Sequence, residues 1–134
     1  MMKHIEVVAA IIIFSNKILC VQRNKHKYDY ISNKFEFPGG KIEIGETNEV
    51  ALKREIYEEL EMNISIQKLF LTVNHKYPDF KLTMHSFICS CENMDLNLTE
   101  HIDFKWLTRD QLETLDWAAA DILIVDKIIN TKND

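Results

Sequence analysis

The stretch EFPGGKIEIGETNEVALKREIYEELEM, residues Glu36–Met62, decides how the rest of the chain is read. From Thr47 to Leu60 it holds neither Gly nor Pro. Val50, Ala51, Ile56 and Leu60 recur there near helical spacing, which predicts an amphipathic helix. Just upstream, Phe35-Glu36-Phe37 alternates apolar and polar as a strand does. It runs into Pro38-Gly39-Gly40, where the backbone can approach other groups closely and present a carbonyl. Within the helix, Glu55, Glu58 and Glu59 stand at i, i+3 and i+4, so their carboxylates are expected on one face. Like charges at that spacing repel, raise at least one pKa and cost helix stability unless a cation lies between them. Carboxylate oxygens suit Mg²⁺, which keeps several waters and bridges protein to phosphate. Taken alone, the run also fits an ordinary solvated acidic face.

On the N-terminal side, Ile5 to Phe14 is rich in Val and Ile and predicts a buried strand. A turn at Ser15-Asn16 and a second strand over Lys17 to Gln22 complete a hairpin. Arg23 to Lys34 is polar and basic and reads as an exposed loop. On the C-terminal side, Ile64 to Asn74 and Lys81 to Cys91 read as strands flanking a turn at Tyr77-Pro78-Asp79, with one more strand over Ile102 to Leu107. Thr108-Arg109-Asp110-Gln111 fits a capping box that opens a short helix. Ile122, Val125, Ile128 and Ile129 mark one face of a C-terminal helix. Strands mixed with two substantial helices imply an α+β fold, a mixed β-sheet with helices packed on it.

Composition narrows the function classes. The 134 residues suit one domain spanning 1–134, with a core that needs no disulfide, and no linker or low-complexity segment suggests a boundary. A formal charge of −5 argues against coating a nucleic-acid polymer, although local cations or a metal can still hold a small anion. The apolar run Val7 to Phe14 is too short to span a bilayer and follows Glu6, so no membrane association is expected. Three cysteines, Cys20, Cys89 and Cys91, cannot all pair internally, which points to the reduced cytoplasm. Cys89 and Cys91, two apart, read as positions alternating across a strand, with no second Cys/His pair at zinc spacing. His75 and His85 read as ordinary strand residues.

The quoted stretch resembles the Nudix box: Gly40, five residues, Glu46, seven residues, then Arg54-Glu55-Ile56-Tyr57-Glu58-Glu59-Leu60-Glu61-Met62. One position departs, Glu61 standing where the family has glycine. Glycine there would take a left-handed conformation that costs other residues about 1 kcal/mol, and Asn63 is an alternative left-handed position. The likeness extends along nearly the whole chain. Ile5 to Ile12 is similar to the (deoxy)CTP pyrophosphohydrolases, Glu36 to Glu43 is similar to the MutT-like group, and Ala119-Ala120-Asp121 is similar to the base-pocket segment of both.

The resemblance implies an α/β/α Nudix sandwich with a triphosphate lying over the acidic helix. The Gly39 carbonyl, Glu58 and Glu59 would bind Mg²⁺, with Mn²⁺ a possible substitute, and Glu55 would be a further ligand or the base that orients water. Arg54 would hold the glutamates, and Glu100 would be a further ligand or the general base, if it is not a plain loop residue. Arg23, Glu36, Phe37, Pro38, Gly39 and Asp121 would contact substrate. Asp121 either reads the base or N-caps the last helix, Phe37 is either base-packing or core, and Trp117 either closes the pocket or packs between helix and sheet.

The implied reaction is attack of water at the β-phosphorus, releasing nucleoside monophosphate and pyrophosphate. The substrate class is a nucleoside triphosphate, with nucleotide sanitation of 8-oxo-dGTP (and so DNA repair) as one form and (deoxy)CTP or 5-methyl-dCTP turnover as the other. A monomer or weak homodimer is expected. A catalytically silent nucleotide-sensing Nudix module would be expected to lose box glutamates, and Glu55, Glu58 and Glu59 are all present.

Overall fold

The computed structural model describes residues 2–131, so Met1 and residues 132–134 of the expected domain lie outside it. The organising element is β1 (Lys3–Phe14), which carries the long apolar run. It pairs in parallel with β6 (Phe80–Ser90) from Lys3 opposite Phe80 to Ile13 opposite Ser90, and every other strand pairing is antiparallel. A strand flanked on both edges and covered on both faces must be apolar at every position, which is why the run does not alternate. Its even residues Val8, Ala10 and Ile12 enter one core, and its odd residues Ala9 and Ile11 enter the other.

The remaining strands are β2 (Lys17–Gln22), β3 (Phe35–Glu36), β4 (Gly39–Lys41), β5 (Ser65–Lys76) and β7 (Asp103–Leu107). The order is β3-β2-β1-β6-β5, with β4 also pairing β1 and β7 pairing β2, so the mixed sheet is present as expected. Ser15 (φ 49°) and Asn16 (φ 66°) are both left-handed, the geometry that a two-residue hairpin turn demands.

Helix α1 (Asn48–Leu60) packs on the Val8 face, and α2 (Ala119–Asn130) packs on the Ile11 face. Thr47 caps α1 by accepting the Val50 amide at 3.2 Å. The buried stripe of α1 is Ala51, Leu52, Ile56, Glu59 and Leu60; Val50, expected inside, is exposed. On α2 the stripe is Ala120, Asp121, Ile124, Val125 and Ile128, and Ile122 points outward. Each helix therefore buries one carboxylate among its apolar positions.

The capping box after Thr108 opens a short helix as expected, a 3-10 helix over Arg109–Thr114, with Gln111 Oε1 accepting the Thr108 amide at 3.0 Å. Three further expectations are corrected. Glu61 itself takes the left-handed conformation (φ 54°) that closes α1, its amide donating to the Tyr57 carbonyl at 2.9 Å, so Asn63 has no such part. Cys89 and Cys91 do not alternate; residues two apart share a face, and both belong to the α1-side core, Cys91 beyond the end of β6. The loop after β2 is not simply exposed: Ile31 is buried, and Tyr30 stacks on Tyr77 at 5.4 Å. Among the described residues no helix is long and apolar enough to cross a membrane.

Candidate active site

Arg54 is the hub of the acidic helix. Its Nε and Nη2 donate to the two Glu46 oxygens at 2.6 and 2.9 Å, a bidentate pair. Nη1 donates to Glu55 and Glu58 at 3.1 Å each, and Nη2 also donates to the Lys41 carbonyl at 3.1 Å. Glu46 accepts the Glu43 amide at 2.9 Å as well, and these donors hold its carboxyl down at about 2. The clasp ties the β4–α1 loop to the helix and leaves Glu46 fully satisfied.

Glu55 and Glu59, one turn apart, face the sheet, whereas the Glu58 side chain is 56% exposed. The three therefore do not share one face evenly as expected. The glycines make room for this arrangement. Gly39 lies opposite Ala9 in the β1–β4 ladder, and a side chain there would strike the Val8 carbonyl; a Cβ on Gly40 would strike the Glu55 carboxyl.

Glu59 is 7% exposed, and among the described residues its Oε1 has no hydrogen-bond partner. Burial, reinforced by the charges of Glu36, Glu55 and Glu100, pushes its carboxyl up to about 9, with the Gly39 backbone working the other way. Burial also raises Glu55, although Arg54 opposes the shift. A buried carboxyl with an unanswered oxygen costs stability in the absence of a cation.

Glu100 arrives on the loop between β6 and β7. Asn97 donates its amide to the Leu60 carbonyl at 2.9 Å. Thr99 donates its amide to the Glu59 carbonyl at 3.1 Å and its hydroxyl to the Glu58 carbonyl at 2.8 Å. The loop thus satisfies the orphan carbonyls at the C-terminal end of α1 and brings Glu100 beside the acidic turn.

A cavity of about 170 Å³ opens there. It is lined by Glu36, Glu59, Glu100 and His101 together with Arg23, Asn24, Lys25 and His26, and Arg23 Nε lies 3.9 Å from Glu36 Oε2. Of the residues expected to contact substrate, Arg23 and Glu36 line this space. Phe37 and Asp121 do not line it; they are 3% and 5% exposed, with Asp121 Oδ2 accepting the Phe37 amide at 3.0 Å, and Pro38 is buried too. Asp121 does not N-cap α2, since Ala118 holds that position and Asp121 sits in the first turn. Phe37 stacks on Trp117 with centroids 4.7 Å apart, which makes both part of the α2-side core.

His101 was invisible in the sequence reading, and so were Asn24, Lys25 and His26. The His101 side chain is 4% exposed, and its Nε2 lies 3.0 Å from Glu36 Oε2. Only its place beside Glu100 hinted at it.

Among the described residues no three His, Cys, Asp or Glu side chains already converge at metal-ligand spacing. Arg54 accounts for this by drawing Glu55 and Glu58 to itself. The donor set nevertheless fits a hard divalent cation: carboxylate oxygens, one of them buried and unpartnered, beside a backbone bend that tolerates no side chain.

Comparison with known proteins decides the family, because the NUDIX domain model matches residues 3–127. The chain belongs to the NUDIX domain family. Curated Nudix relatives include the 8-oxo-dGTP diphosphatase of Buchnera aphidicola subsp. Schizaphis graminum, 30% identical over 124 residues that cover 92% of each chain. The CTP pyrophosphohydrolase of Escherichia coli K12 is 30% identical over 125 residues, covering 93% of this chain and 91% of the relative. Among solved structures, the MutT Nudix protein of methicillin-resistant Staphylococcus aureus 252 is 39% identical. It superposes with a TM-score of 0.74 over 96% of this chain and 98% of that one. Nudix hydrolases generally use a divalent metal.

Proposed function

We propose that this Nudix protein hydrolyses a nucleoside triphosphate to the monophosphate and pyrophosphate with Mg²⁺, and that its substrate is an oxidised or modified nucleotide such as 8-oxo-dGTP. The observation that carries the reading is Glu59: a buried carboxyl with an unanswered oxygen on the wall of an open cavity, beside glutamates held by Arg54. The names of the relatives, diphosphatases and a pyrophosphohydrolase, support the same reaction class.

In this reading the Gly39 carbonyl, Glu58 and Glu59 hold the cation, with Glu55 and Glu100 completing the acidic set. Mg²⁺, or Mn²⁺ in its place, supplies charge neutralisation at the phosphate oxygens. Arg54 orients Glu55 and Glu58, and releases Glu58 toward the cavity by rotation of its exposed side chain. Glu55 or Glu100 orients the attacking water and takes its proton. Arg23 and Lys25, which line the same cavity, counter the negative charge of the polyphosphate. Asp121 and Phe37 shape the base pocket, joined by their 3.0 Å hydrogen bond. The protein acts as a monomer or weak homodimer on the cytoplasmic nucleotide pool, without a nucleic-acid polymer or a membrane.

A second reading, (deoxy)CTP or 5-methyl-dCTP turnover, is favoured by Asp121 being a carboxyl that accepts an N–H in this structure. A carboxylate suits an exocyclic amine such as cytosine N4. A kcat/KM panel over 8-oxo-dGTP, dCTP, 5-methyl-dCTP, 2-hydroxy-dATP and ADP-ribose separates the two, with product analysis alongside. Pyrophosphate and monophosphate are expected; orthophosphate released directly from the triphosphate would contradict both.

A further inference from the structure

We propose that His101 is a positioning residue for Glu100, and that its hydrogen bond to Glu36 fixes the Glu100 carboxylate over the acidic end of α1. The proposal rests on the reading of Glu100 as part of the hydrolytic site.

The segment from Asn97 to Ile102 is strung between two fixed supports. At one end, Asn97 and Thr99 are bound to the last carbonyls of α1. At the other, the Ile102 amide donates to the Gln22 carbonyl of β2 at 3.0 Å. Glu100 and His101 bridge the gap. His101 Nε2 donates to Glu36 Oε2 at 3.0 Å, and Glu36 is held on β2 through its pairing with Val21. The other ring nitrogen, Nδ1, is buried without a partner, so among the described residues the Glu36 bond is the ring's one polar tether.

Without a tether, Glu100 would move away. It is an exposed acid whose charge acts on both Glu55 and Glu59, and like charges this close repel. The side chain next to it, 4% exposed and anchored to the sheet, is what resists that repulsion and keeps the loop in register with the cavity. Holding a reacting group to within about 0.5 Å is what such support accomplishes, and a displacement of about 1 Å costs about a hundredfold in rate.

The experiment compares three single variants and one double variant of the full chain. H101F keeps a ring but has no donor, H101Q keeps a donor, E100A removes the acid, and E100A/H101F combines two of these. His101→Met serves as a second donor-free side chain should the Phe ring prevent folding. Readouts are kcat, nucleotide KM, Tm and Mn²⁺ affinity by electron paramagnetic resonance without nucleotide. H101F is expected to lower kcat by about 10–100-fold with KM within about threefold. H101Q should recover most of the loss, and E100A/H101F should be no slower than E100A within about twofold. Mn²⁺ affinity should weaken alike in E100A and H101F. Equal damage in H101Q and H101F, or multiplied losses in the double variant, would overturn the proposal. So would Mn²⁺ binding lowered by E100A and untouched by H101F. If E100A itself keeps full activity and Mn²⁺ affinity, the underlying reading of Glu100 fails, and the role of His101 falls with it.

Discussion

Glu59 on α1 and Asp121 on α2 occupy equivalent places, each on the stripe its helix buries, 7% and 5% exposed. Burial raises both carboxyls, and the charge of Glu36 on β3 raises both further. Their surroundings otherwise differ. Asp121 sits in the first turn of its helix, where the dipole favours negative charge, and accepts the Phe37 amide. Glu59 sits in the last turn of its helix, where the dipole opposes negative charge and no basic residue compensates, and it keeps an oxygen without a partner. One acid is complete within the fold; the other keeps the unanswered oxygen that the proposed function assigns to a cation. The contrast teaches that burial alone does not single out a carboxyl, whereas burial with an unanswered oxygen sets Glu59 apart.

Glu59→Gln should separate the two most sharply. It replaces a carboxyl that can ionise against a cation by a neutral amide of the same shape, so kcat should fall by about 10²–10³-fold, while Tm in EDTA at neutral pH, where the Glu59 carboxyl is already protonated, stays level. Steady-state kinetics and calorimetry read both; an active variant would reduce Glu59 to a second Asp121. Asp121→Asn should leave kcat on the preferred triphosphate within about tenfold but shift the kcat/KM ratio of 8-oxo-dGTP to dCTP by about tenfold or more. An unchanged ratio would make Asp121 a purely structural acid.

The Glu46 clasp offers a third comparison, an acid answered by arginine. Arg54→Lys replaces a planar fork by a point charge, so Tm should fall by about 5 °C and kcat by about 10–100-fold. Because the folded Glu46 carboxyl lies near 2, below its ordinary 4.5, it contributes stability that is present above pH 4.5 and is lost as pH falls toward 2. Urea midpoints measured across that range should show this acid limb in the wild type and a flatter one in Glu46→Gln. Asp121 has the opposite sign: its contribution is present below its ordinary range and is lost as pH rises. The smallest effect should come from Glu61→Gly. Relief of the left-handed strain is offset by glycine's greater freedom when unfolded and by loss of the Asn97 bond at 2.8 Å. Tm should therefore move by no more than about 3 °C, and kcat by no more than a few-fold.

The helix and the central strands were legible because period specifies them locally, and the Glu46–Arg54 pattern was legible through the resemblance to the Nudix box. Spacing fixes the angle between side chains on a helix but not how the helix rolls against the sheet. That is why Val50 and Ile122 turned outward while Glu59 and Asp121 turned in. Convergence of Glu55, Glu58 and Glu59 was expected from i, i+3 and i+4 alone; Arg54, also on that helix, redirects two of them. The places of His101, Asn24, Lys25 and His26 around the cavity were illegible because loops carry no period, and that of His101 follows from anchors at Gln22, Glu36 and the end of α1. Glu61 shows the reverse case. The departure from glycine was plain in the sequence, but only the backbone reveals that glutamate tolerates the left-handed position.

The most direct test of the acidic turn is an anomalous difference map from crystals soaked with Mn²⁺ and a non-hydrolysable nucleoside triphosphate. A Mn²⁺ peak bonded to the free oxygen of Glu59 and to the triphosphate is the expected result. A map with the nucleotide bound, Glu59 still unpartnered and the metal elsewhere would contradict the account.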